Sequence, residues 1–189
     1  LARLADDPGS TVRQQIKRHP TVRGLQKEAE VSTDEARLSE LASSQFPSVL
    51  TSVAHNPSAP VELLTRLSED SDWGVRRGVA GNSSTPVEVL ARLAEDSDSD
   101  VRRAVAGNPT VKALTQEAKE STDQSRLAEL AESPFQPVRR GVVENSNTPV
   151  EVLTRLAEDS DSWVRTDVAH NPSAPVEVLT RLAEDSDSD

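Results

Sequence analysis

The chain has 189 residues and a mass of 20.4 kDa, with 21 Lys and Arg against 32 Asp and Glu, a formal charge of -11, and no Cys, Met or Tyr. This composition excludes a disulfide scaffold, a thiolate metal site and a cysteine nucleophile. No apolar run approaches the roughly 20 residues that cross a bilayer and no leader precedes Leu1, so the sequence reads as a soluble piece with the cytoplasm as its default compartment.

Self-comparison organises the rest, because a fixed period dictates architecture. Matching apolar positions Ile16, Val53, Val79, Val105, Val142 and Val168 are spaced 37, 26, 26, 37 and 26 residues apart, and Leu1 with Leu90 and Phe46 with Phe135 share a longer period of 89. The expectation is a single helical-repeat domain over 1–189, a piece of a longer array. Long units fall at about 17–53 and 106–142, and short units at about 54–79, 80–105 and 143–168.

In chain order, Val22 to Glu30 has a helix-forming composition. The 11 additional residues of a long unit are close to three helical turns, which predicts an extra helix. The short unit from Ala59 reads APVELLTRLSEDSDWGVRRGVAGN, and its copy from Thr85 reads TPVEVLARLAEDSDSDVRRAVAGN. Each predicts two short helices. In the first, Thr85 is the expected N-cap, Pro86 the first helical residue and Glu88 the return arm of a capping box. Val87, Leu90 and Leu93 would face inward. Glu88 with Arg92 would pair along the helix, as would Glu62 with Arg66, Glu151 with Arg155 and Glu177 with Arg181. Asp98 is placed to cap the second helix, whose inward face is Val101, Ala104 and Val105, with Asp100 near the positive end of its dipole. Gly81 and Gly107 are expected to stop it, with His55 and His170 in the same column. Val111 to Glu120 then repeats the extra helix, and Ser121-Thr122-Asp123 supplies a new cap. Further copies begin at Thr148 and, incompletely, at Ala174.

Two short helices with two or three aliphatic residues each cannot bury enough surface alone, so neighbours must stack. The motif Asn-Pro, Pro-Val-Glu-Val-Leu, Leu-Ala-Glu-Asp, Val-Arg-Arg-Ala-Val-Ala, carried by Asn171-Pro172 and by Pro86 through Ala106, resembles the leucine-rich repeat variant family, a branch of helical repeats near HEAT and armadillo arrays. The resemblance implies an all-α fold, a right-handed α-solenoid of stacked short helix pairs, here with an extra helix in every third repeat. One helix of a pair can be a short 3₁₀ segment in that family. Some members carry an iron–sulfur cluster on an N-terminal cysteine module, which a chain without Cys cannot share. Similarity to HEAT repeats further implies an Asp–Arg ladder of Asp7, Asp70, Asp96 and Asp159 with Arg13, Arg76, Arg102, Arg139 and Arg165. Long units break it: Ser44 and Ser133 replace the acid, Leu50 one arginine, and Phe46 and Phe135 are expected to plug the gap.

Residue types that could carry chemistry also have structural roles in this repeat. The column Asn56, Asn82, Asn108, Asn145 and Asn171, joined by His19, suits turn amides. The Asp-Ser-Asp runs lack the Gly and Glu of a calcium loop, since counting from Asp96 gives Val101 sixth and Gly107 twelfth. No catalytic residue, metal ligand or cofactor site is expected. Arg77, Arg103 and Arg140, the second of each arginine pair, could line a basic stripe. Trp73 and Trp163 are expected as lids over the core edge, or as binding anchors if exposed.

The expected function is a non-catalytic protein–protein interaction scaffold, its acidic edge favouring a basic protein or peptide. The alternatives are a nucleic-acid-binding or HEAT-like enzymatic module on the Arg-rich second-helix face, or spacer or sensor repeats of a larger protein. The excess of acids and the scarcity of stacking aromatics weigh against nucleic acid. Ends without polar caps suggest flanking repeats or end-to-end association.

Overall fold

The computed structural model describes residues 10–184, and every regular element among them is an α-helix. There are fourteen: α1 Ser10–Arg18, α2 Pro20–Val31, α3 Glu35–Leu41, α4 Pro47–His55, α5 Val61–Leu67, α6 Trp73–Gly81, α7 Val87–Ala94, α8 Ser99–Gly107, α9 Pro109–Glu120, α10 Gln124–Leu130, α11 Gln136–Glu144, α12 Val150–Leu156, α13 Ser162–His170 and α14 Val176–Leu182. The second helices of the repeats are therefore α and not 3₁₀. The chain divides after Asn108 into two compact bodies, 1–108 and 109–189.

In the first body, α2, α4, α6 and α8 stack in one layer, and α3, α5 and α7 pack beside them in a second. The second body repeats this with α9, α11 and α13 in one layer and α10, α12 and α14 in the other. The extra helix of each long unit, expected from the 11-residue insertion, is α2 or α9. It lies in the layer of second helices, where it supplies a face for α4 or α11. The core is aliphatic: Val49, Val53, Val75, Val79, Leu64 and Leu90 are fully buried in the first body, and Leu127, Val138, Val142, Leu153 and Val164 in the second.

Asparagine locks successive repeats together. The Asn82 amide nitrogen donates to the carbonyls of Ala54 and Asn56 at 2.8 Å each, while its oxygen accepts the Ser84 N–H at 2.8 Å. Asn56 reaches Ala29 and Ser32, Asn108 reaches Ala80 and Asn82, and Asn145 reaches Ala118 and Ser121. Each ties the end of one second helix to the orphan carbonyls of the helix before it.

The Asp–Arg ladder forms where both partners exist. Arg76 grips Asp96 with two bonds of 2.7 and 2.9 Å, and Arg139 grips Asp159 identically. Asp70, preceded by Leu50 at the arginine position, keeps only the turn bond from the Asp72 N–H, which Asp96 and Asp159 also accept from Asp98 and Asp161. In the long units Ser44 and Ser133 accept the N–H groups of Phe46 and Phe135, and Phe135 is buried. Phe46 is half-buried. Leu1, Asp7 and the Arg13 side chain lie outside the described residues.

Four local expectations are corrected. Thr85 is not the N-cap of α7. Its hydroxyl donates back to the Val79 carbonyl at 2.6 Å, as Thr148 does to Val142, and the α7 ladder starts at the Pro86 carbonyl. Since α7 then begins at Val87, that residue points outward and is 41 % exposed, while Val89, Leu90 and Leu93 face the core. The outer arginines reach across repeats: Arg92 pairs with Glu69, Arg155 with Glu132 and Arg181 with Glu158, and Arg66 donates to the Ala42 carbonyl. Finally, Gly81 and Gly107 end their helices without a positive φ. The stop is the following asparagine, extended at φ -77, ψ 128 for Asn82, so Gly, His and Glu are interchangeable before it.

Candidate interaction surface

Aspartate fixes the start of each second helix in a short unit. Asp98 accepts from the N–H groups of Asp100 and Val101, and Asp72 and Asp161 cap α6 and α13 in the same way. These caps set the register of the residues proposed to bind. The first arginine of each pair turns to the turn before its own helix: Arg76 to the carbonyls of Asp70 and Ser71, Arg102 to those of Asp96 and Ser97, and Arg139 to that of Ser133.

The second arginines are also engaged. The Arg77 guanidinium lies over the Trp73 ring, 5.7 Å from its centroid, a cation–π contact one helical turn long. Arg103 pairs with Asp100 on its own helix. Arg140 on α11 binds Asp167 on α13, with Nε 2.5 Å from the carboxylate, and that hydrogen bond raises its pKa further. Each second arginine thus has its own partner, an aromatic ring for Arg77 and a carboxylate for Arg103 and Arg140.

The tryptophans are exposed: Trp73 is 44 % accessible and Trp163 64 %, so neither is the lid expected. They do not share a column, because Trp73 is the first residue of α6 and Trp163 the second of α13.

What the sequence reading missed is a valine edge. Val61 and Val87 open α5 and α7 in the first body at 47 and 41 % exposure, and Val150 and Val176 open α12 and α14 in the second. Each follows a proline held near φ -60 and precedes an exposed glutamate. The signal was present in Val-Glu-Val: only one of the two valines can face a core, and a three-residue spacing selects the wrong one. Beside this edge, a groove between α3 and α5 is lined by Ala36, Pro60 and Leu63 together with Glu35, Glu62 and Arg66.

Electrostatics around the groove are set by local pairing. Arg37 of α3 binds both Glu28 and Glu40, and its hydrogen bonds hold the Glu28 carboxyl below the ordinary carboxylate range. The second body copies this with Arg126, Glu117 and Glu129. Among the described residues no three His, Cys, Asp or Glu gather to hold a metal ion, and no helix is long and apolar enough to cross a membrane.

No curated protein matches the chain. Two solved structures are similar over nearly all of it. One is a leucine-rich repeat variant described as having a novel repetitive structural motif, 24 % identical, spanning 100 % of this chain and 75 % of its own, at a TM-score of 0.35. The other is an engineered protein, 18 % identical, spanning 96 % and 95 %, also at 0.35. The family model for the leucine rich repeat variant matches residues 73–98, 138–161 and 163–187. These segments overlie the α6–α7, α11–α12 and α13–α14 helix pairs, so the chain carries three repeats that match the leucine-rich repeat variant family.

Proposed function

We propose that this helical repeat protein is a non-catalytic interaction module whose first body holds a basic peptide segment along the edge formed by α3, α5 and α7. The observation that carries this reading is the alternation of exposed valine and glutamate there. Val61 and Val87 provide apolar contact, and Glu62 and Glu88 stand beside them with the Glu35 carboxylate at the adjoining groove. A lysine or arginine lays its aliphatic stem on apolar surface and keeps its charge toward carboxylates, which is the chemistry this edge offers. An enzymatic reading has less support: the polar groups that recur between repeats already cap helices, pair across the stack or bind carbonyls.

The test is binding of Lys- and Arg-rich peptides to the whole chain, followed by titration calorimetry at several salt concentrations. The double variant Glu62→Lys/Glu88→Lys changes only exposed side chains and should weaken binding at least tenfold, and binding to the parent chain should fall with salt. Equal affinity of variant and parent would remove this edge as the site.

A further inference from the structure

A second surface of the first body has the opposite character. From Pro8 to Lys27 the sequence contains no acidic residue, although acids outnumber bases 32 to 21 overall. Lys17 and Arg18 end α1, and Arg23 and Lys27 lie one turn apart on α2, about 6 Å along its axis. All four are exposed, and none has an ion-pair partner among the described residues. The acids of α2 are turned elsewhere: Glu28 is held by Arg37 at 2.7 and 2.9 Å, and Glu30 accepts from Ser52 on α4 at 3.5 Å.

The chain contains its own control. At the 89-residue period, Lys17, Arg18, Arg23 and Lys27 correspond to Ala106, Gly107, Lys112 and Gln116. The scaffold around them is retained in both copies, down to the Glu28–Arg37 and Glu117–Arg126 bridges. The fold therefore does not need these four cations. Arg23 and Lys27 also repel each other at i,i+4, a penalty that the second copy, with one cation, avoids.

We propose that Lys17, Arg18, Arg23 and Lys27 form a sequence-independent site for the phosphodiester backbone of a nucleic acid. Among the described side chains exposed between them, Gln14, Gln15 and Thr21 are polar and Pro20 alone is apolar, so the surface offers little of the apolar centre on which a protein interface depends. A phosphodiester chain needs none, because release of condensed counterions drives its binding. No aromatic residue occurs between positions 8 and 27, so bases are not stacked and sequence is not read. Counterion release acts through the cations that touch the phosphates, which lets a local cationic patch act in an acidic protein.

The experiment is fluorescence anisotropy of a labelled oligothymidylate with the whole chain across a salt series. Binding at low salt is expected, with log K falling against log salt at a slope of about -3, the value for four phosphates on a single strand. The variant Lys17→Ala/Arg18→Ala/Arg23→Gln/Lys27→Gln should lose at least tenfold in affinity, and Lys112→Gln should lose nothing. Arg23→Gln/Lys27→Gln alone should roughly halve the salt slope, and it serves if the quadruple variant loses helix by circular dichroism. Absence of binding at low salt, unchanged binding by the variants, or tighter binding of polyglutamate than of oligothymidylate would overturn the proposal. None of these outcomes depends on the valine edge, so this site and the peptide site stand or fall separately.

Discussion

At the residue scale, interactions that span two or three residues could be read from the sequence, and those that span a repeat could not. Asp98 and Asp123 cap their helices as expected, because a short carboxylate reaches the amides two and three positions on. Spacing along the helix pairs Arg92 with Glu88. In the stack it meets Glu69 of the repeat before, since packing brings 23 residues of separation closer than four. The Arg76–Asp96 pair shows what such a contact is worth. Both side chains are mostly buried, at 16 and 8 % exposure, whereas Arg103 and Asp100 are at 75 and 43 %. Arg76→Ala should therefore cost about 3 kcal/mol in urea unfolding at neutral pH by stranding a buried carboxylate, and Arg103→Ala less than about 0.5 kcal/mol. The Arg76 hydrogen bond holds the Asp96 carboxyl below its ordinary value of 3.8. The stabilisation is therefore complete above the ordinary carboxylate range and is lost as pH falls through the lower, folded-state value. The gap between parent and Arg76→Ala should narrow on acidification below about pH 4, and a gap that widened would contradict the assignment.

At the element scale, helix number and order followed from the 26- and 37-residue periods, and the extra helices of the long units were read from helical composition and a fresh cap. Their layer was not, because layer membership depends on which face α2 or α9 offers to α4 or α11. The same limit applied to the helix ends. Thr85 and Pro86 match a capping signal, but the Thr85 hydroxyl finds the Val79 carbonyl first. Close approach of helices is visible at Gly141 of α11: a Cβ there would lie 2.9 Å from the Thr115 carbonyl oxygen and 3.1 Å from the Ala118 Cβ. Gly141→Ala should destabilise the protein by about 1–2 kcal/mol, overlap with α9 outweighing a gain in helix propensity of about 1 kcal/mol. Gly24 of α2 has nothing within 4 Å, so Gly24→Ala should stabilise by about 0.5–1 kcal/mol. Paired thermal melts of the two variants test this, and shifts of the same sign would show that the contact at Gly141 does not matter.

At the scale of the molecule, the repeat period carries the fold class, but recurrence alone does not single out a binding surface. Residues that recur are those the stack needs: the asparagine column, the ladder and the aliphatic layers. The arginine pairs recur as well, and their recurrence reflects the stack, since Arg76 and Arg139 join it and Arg140 bridges α11 to α13. The surfaces proposed for binding were legible only where copies differ, as with Lys17 and Arg18, or where one register position is exposed, as with Val61 and Val87. All of this assumes that a repeat is ordered by its neighbours. Its helices of seven to nine residues are far below the length at which isolated helices persist. Far-UV circular dichroism of the isolated segment Thr85–Asn108, which contains α7 and α8, tests that assumption directly. Little helix and a melt without a cooperative transition are predicted. Helical content matching that of the intact chain, lost in a single sharp transition, would contradict it.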